Sequence, residues 1–117
     1  MLNREVEEEL IELLKKNKDV TVIVEGKRDK EVLCSLGFDK ILTIHKGIYE
    51  TAEELKEKDV LLLSDFDSEG RQIAKKLNLI LQHLGYNVDK ETRRKVGLMF
   101  TKLKIRKIEE LRGVLYG

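Results

Sequence analysis

Three carboxylates stand at the ends of two apolar runs: Glu25 follows Val20-Thr21-Val22-Ile23-Val24, and Asp65 and Asp67 follow Val60-Leu61-Leu62-Leu63 and Ser64. Acids gathered at one place repel, by about 4 kcal/mol per pair at ~4 Å and an effective dielectric near 20. A cation relieves that repulsion. Hard oxygen ligands with positions left for water and phosphate suit Mg²⁺ or Mn²⁺, whereas one cysteine and two histidines are too few for a soft-ligand zinc cage. The spacing therefore predicts a divalent-metal site.

The elements that must position these acids follow from the runs themselves. Both are short, nearly continuous and bounded by charge, the pattern of strands buried on both faces of a parallel sheet. Two neighbouring parallel strands present their acids along the same carboxyl edge, where open α/β sheets build their sites. If the strand formed by Val60–Leu63 continues through Asp65 and Asp67, the two project to one side of the pleat and Phe66 points away into packing.

With the motifs in view, the chain resembles the Toprim domain family, found in topoisomerases, bacterial primases, overcoming-lysogenization-defect nucleases, recombination mediators and the ribonucleases that mature 5S ribosomal RNA. The first motif, Glu25-Gly26-Lys27-Arg28-Asp29, is similar to the Glu-Gly-Lys-x-Asp form of the primase and ribosomal-RNA-maturase branches. The second, Asp65-Phe66-Asp67-Ser68-Glu69-Gly70, is similar to the family's Asp-x-Asp. Several members carry a Glu directly after that glycine, where this chain has Arg71. The resemblance implies that Glu25 serves as a general acid or base and also contacts metal, and that Asp65 and Asp67 are metal ligands. It implies a partner that is RNA or DNA. The activity it implies is that of a small Mg-dependent nuclease of the maturase type, or a primase-related phosphotransfer module. The alternative is a non-catalytic Toprim module that binds metal and nucleic acid and works with a protein partner. Topoisomerases need a further domain with a nucleophilic tyrosine, and primases a zinc domain; neither fits this length. A phosphoacceptor receiver domain would want its acid pair after the first strand rather than the third.

Around these acids, Lys27, Arg28 and Arg71 lie near helix N-termini that favour phosphate, and Lys46, before Gly47, falls at the end of the second strand. Gly26 and Gly70 follow carboxylates at turns where a side chain would obstruct a close approach. Asp29 is suited to helix capping and Ser68 to the N-cap of the following helix. His45 shares the carboxyl edge and reads as a loop histidine, His83 as a helix C-terminal charge. Tyr49, Tyr86 and Tyr116 are too scattered to form a stacking platform.

The 117 residues suit a single domain, with an N-terminal helix in 1–18 and a Toprim-like core over 19–111. Lys and Arg number 23 against 22 Asp and Glu, so net charge gives no reason to expect a nucleic-acid partner. The distribution does: basic residues, Arg93 and Arg94 among them, dominate from Lys90 to Arg112, while the first turns are acidic. No apolar stretch approaches the length of a membrane span, and the single Cys34, expected to pack as a small hydrophobe, fits a reducing cytoplasm.

The periodicity predicts an amphipathic helix from Asn3 to Lys18, a helix from Asp29 to about Leu36, a second strand at Ile41–Ile44 and a helix over 51–58. A long helix follows from Ser68 to Gly85, then another over 89–102. A short strand around Ile105–Ile108 would complete a four-stranded parallel sheet flanked by helices, a three-layer α/β sandwich of Rossmann-like type.

Overall fold

The computed structural model describes residues 3–44 and 46–116. Along the chain run α1 (Asn3–Lys16), β1 (Thr21–Val24), α2 (Lys27–Ser35), β2 (Ile41–Thr43), α3 (Ile48–Glu53), β3 (Asp59–Leu62), α4 (Ser68–His83), β4 (Asn87–Val88) and α5 (Lys90–Leu103). A 3₁₀ turn (Ile108–Glu110) then leads into α6 (Leu111–Tyr116). The strands form one all-parallel sheet in the order β2-β1-β3-β4.

Period-two alternation in the two central strands explains why the apolar runs are continuous. Val22 and Val24 of β1, with Leu61 of β3 and Leu63 just after it, join a core closed by Leu10 and Leu14 of α1, Val32 and Leu33 of α2, and Val96 and Phe100 of α5. Ile23, Val60 and Leu62 face the opposite core, closed by Ala52 of α3 and by Leu77 and Leu81 of α4. Each strand residue therefore meets a helical layer whichever way it points, the three-layer arrangement that a buried parallel sheet requires. Leu61 has no exposed surface, and its truncation to Ala would cost about 2–5 kcal/mol.

The fourth strand is not at Ile105–Ile108, where the sequence reading places it. Residues 105–107 run as an extended loop into the 3₁₀ turn, and β4 is the two-residue Asn87–Val88 beside β3. The reason lies in the amides. The N–H groups of Arg106 and Lys107 donate to the Glu110 carboxylate and that of Ile108 donates to Asp65, so these donors are taken before any ladder could use them. The helix expected over 51–58 is instead Ile48–Glu53, and Leu55, beyond its end, still reaches the core. Cys34 is exposed rather than packed: Val32, Leu33 and Leu36 turn toward the sheet and leave it on the outer side of α2. His45 lies outside the described residues. Among the described residues, no helix is long and apolar enough to cross a membrane.

Candidate metal centre

Because β1 and β3 are adjacent and parallel, the residues that follow them emerge side by side. Glu25 comes directly after Val24, and its Oε2 accepts the backbone N–H of Asp65 at 2.7 Å. Asp65 and Asp67 do not sit on an extended strand, since β3 ends at Leu62, the last bond to β1 is that of the Leu63 N–H, and residues 64–67 form a turn. The turn nonetheless brings both carboxylates to Glu25. One carboxylate oxygen from each of the three lies within 4.8 Å of the others, and all three residues are half-buried. Phe66 points into the core as expected, with its ring 4.8 Å from that of Phe100.

The turn is fastened at each residue. Ser64 Oγ, buried, donates to the Gly70 carbonyl at 2.6 Å. The Ile108 N–H donates to Asp65 Oδ1 at 2.9 Å, and the Phe66 N–H donates to the Arg106 carbonyl at 2.6 Å. Asp67 takes the role expected of Ser68: it is the N-cap of α4, its Oδ1 accepting the Gly70 N–H at 2.8 Å. Asp29, buried in the first turn of α2, accepts the Gly26 N–H at 3.1 Å and so supports the start of that helix.

The two glycines differ. A Cβ on Gly70 would lie 2.1 Å from the Asp65 carbonyl oxygen, so α4 can start under the turn only because this residue has no side chain. At Gly26 an added Cβ meets nothing within 4 Å and the backbone is extended, so no contact inside the protein demands glycine there.

Burial is the main force holding the Glu25 and Asp65 carboxyls above the usual carboxylate range. Repulsion from Asp65 and Asp67 adds to it at Glu25, as does repulsion from Asp67 at Asp65, while the Asp65 and Ile108 amides pull the other way. Burial and the Asp65 charge likewise raise Asp29. Lys107 offsets part of this repulsion at Asp65, but none of the three acids has an ion pair among the described residues, and their spacing suits a cation. Oxygens bound to a Mg²⁺ at 2.0–2.1 Å lie about 3 Å apart when adjacent and about 4.2 Å apart when opposite, so the three side chains would draw in around the ion from their observed spacing of within 4.8 Å. Glu25, Asp65 and Asp67 can thus hold a metal ion.

Of the basic residues singled out in the sequence, Lys27 and Arg28 are exposed at the start of α2, with no ion pair among the described residues. Arg71 is exposed one turn into α4, beside Asp67 in a hollow of about 430 Å³ that Arg106 also lines. Lys46 pairs with Glu54 at 3.7 Å, and Arg94 pairs with Glu91. Arg93 is placed differently from the expected phosphate contact. Its guanidinium donates to the carbonyls of Leu62, Ser64 and Asp65 at 3.0, 2.9 and 3.3 Å and lies 4.4 Å from the centre of the Phe66 ring. Burial, reinforced by the Arg71 charge, pulls it down to about 10. It clamps the turn that carries the acids. Sequence reasoning also missed the contributions of Ser64 and the Ile108 amide. The long-range hydrogen bonds that recruit them leave no local pattern.

A three-layer α/β fold with an acidic carboxyl edge defines a class, and the comparisons with known proteins set the chain within one family. No family model matches it. A UPF0292 protein of Methanocaldococcus jannaschii is 39% identical over 88% of this chain and 84% of its own length. Those of Pyrococcus furiosus and Archaeoglobus fulgidus are 38% and 36% identical, over 86% and 77% of this chain and 77% and 72% of theirs. The chain belongs to the UPF0292 family. A solved structure of a protein from Aquifex aeolicus is also similar, with a TM-score of 0.74 and 30% identity over 88% of this chain and 95% of that one.

Proposed function

We propose that this chain is a Toprim-type protein whose Glu25, Asp65 and Asp67 bind Mg²⁺ or Mn²⁺ and which acts on phosphodiester bonds of RNA or DNA as a small nuclease. The observation that carries the reading is the meeting of three carboxylates from two adjacent parallel strands, with one oxygen of each within 4.8 Å of the others. A bound divalent cation would polarise a phosphoryl oxygen and stabilise the leaving oxygen.

The chain's own residues supply the rest. Glu25 uses Oε2 to hold the Asp65 amide and keeps its second oxygen for a proton or a ligand. Its raised pKa brings proton exchange closer to neutral pH, as a general acid or base requires. Lys27, Arg28 and Arg71, exposed beside the edge, are placed to neutralise a phosphate backbone. Arg93 holds the turn from behind.

The test is cleavage of labelled structured RNA, single-stranded DNA and duplex DNA, with Mg²⁺ or Mn²⁺ present or chelated, by the wild type and Glu25→Gln. Metal-dependent cutting lost in the variant is expected. Metal-dependent binding with no cutting by the wild type would replace the nuclease with a recruiting module that acts through a protein partner.

A further inference from the structure

A cleft of about 380 Å³ opens between α4 and α5, with Leu62, Phe66, Ala74, Val88 and Gly97 among its lining. The close packing of α5 on Phe66 depends on Gly97, where a Cβ would come within 3.0 Å of the ring. The rim over this apolar floor is cationic. Arg71, Lys75 and Lys90 are exposed and have no ion pair among the described residues. The one acid of the lining, Asp89, is committed to the cap of α5, accepting the N–H and the hydroxyl of Thr92.

Three cations with no ion pair among the described residues, over an apolar floor, complement a ligand with an anionic group and a flat apolar face. The volume falls within the range of small-ligand sites. We propose that the α4–α5 cleft binds one nucleotide, its phosphate among Arg71, Lys75 and Lys90 and its base over Phe66, Ala74 and Val88. Two further hollows, of about 350 and 430 Å³, share Phe66 and Arg71 with the cleft and run on to Arg106 and Asp67. A nucleotide in the cleft can therefore be free or belong to a strand that continues to the acidic edge. The cleft goes beyond the metal-edge reading and binds without it.

The experiment is a titration of ¹⁵N-labelled protein with AMP, inorganic phosphate and adenosine, free of divalent cations. AMP is expected to shift the amides of 74–78 and 90–97 saturably, with phosphate and adenosine each weaker by about tenfold or more. Joint Lys75→Glu and Lys90→Glu substitution, at exposed positions, is expected to weaken AMP about tenfold. Asp67→Asn, which disables the proposed metal site, is expected to bind AMP as the wild type does, so the two readings fail separately. Absence of saturable shifts, shifts confined to 25–29 and 65–70, or phosphate binding as tightly as AMP would overturn the proposal. A 5′-phosphorylated tetranucleotide separates the sources: binding about tenfold tighter than AMP assigns the cleft to a strand, and equal binding to a free nucleotide. Both results uphold the site.

Discussion

Glu25 and Asp65 are forty positions apart and joined by one hydrogen bond, the Asp65 N–H donating to Glu25 Oε2 at 2.7 Å. The bond crosses from the end of β1 to the turn after β3, so the acid proposed for chemistry also holds the backbone of the acid proposed for metal. Glu25→Gln keeps an oxygen acceptor for that amide, and its thermal stability is expected to stay close to wild type while turnover is lost. Glu25→Ala leaves the amide without its partner and is expected to cost about 1–3 kcal/mol as well. Equal stability of the two variants in denaturant unfolding would show that the bond does not hold the turn.

Gly70 and Gly26 are expected to part company. Gly70→Ala forces the Asp65 backbone to move and should cost about 1–3 kcal/mol with a loss of metal affinity. Gly26→Ala meets open space and should fold and bind metal as the wild type does. Thermal melts with and without Mn²⁺ check both.

Arg93→Met keeps much of the aliphatic packing and removes the fork that holds three carbonyls. It is expected to destabilise by about 2–3 kcal/mol and to leave the salt dependence of nucleic-acid binding unchanged. Neutralising Lys27 and Arg28 together should do the reverse, lowering the salt slope by about 2 with little change in stability. A flattened slope in Arg93→Met would return that residue to the nucleic-acid surface.

Glu25, Asp29 and Asp65 all have pKa values raised by folding, chiefly through burial. The folded protein then holds more protons than the unfolded chain as pH climbs above the ordinary carboxylate range near ~4, so their contribution is full below that range and is lost as pH rises through the raised values. Melting in chelator should show this acid-side advantage shrink in Glu25→Gln, and Mg²⁺ should stabilise more at neutral pH than at acid pH. Identical pH profiles for wild type and Glu25→Gln would contradict the assignment.

Much of this was legible in the chain because burial on both faces writes itself locally: Val22-Ile23-Val24 and Val60-Leu61-Leu62 could hardly be other than central strands, and the acids follow directly. Asn87–Val88 was not legible, since two residues carry no period and their pairing depends on the neighbouring edge of β3. Ile105–Ile108, a short segment with a β-branched residue at each end, reads as a strand, but its amides go to Glu110 and Asp65. Arg93 looked like one more cation of a basic run. Only the fold brings it beneath the carbonyls of residues 62–65.

The central claim is that Glu25, Asp65 and Asp67 form one metal site, and Mn²⁺ titration of wild type and Asp67→Asn tests it most directly. Asn is as good an N-cap as Asp, so α4 keeps its start and only the charge is lost. The account predicts saturable Mn²⁺ binding by the wild type, weakened about tenfold or more in Asp67→Asn with the metal-free melting temperature retained. Identical isotherms for the two proteins, or no binding by the wild type, would contradict it.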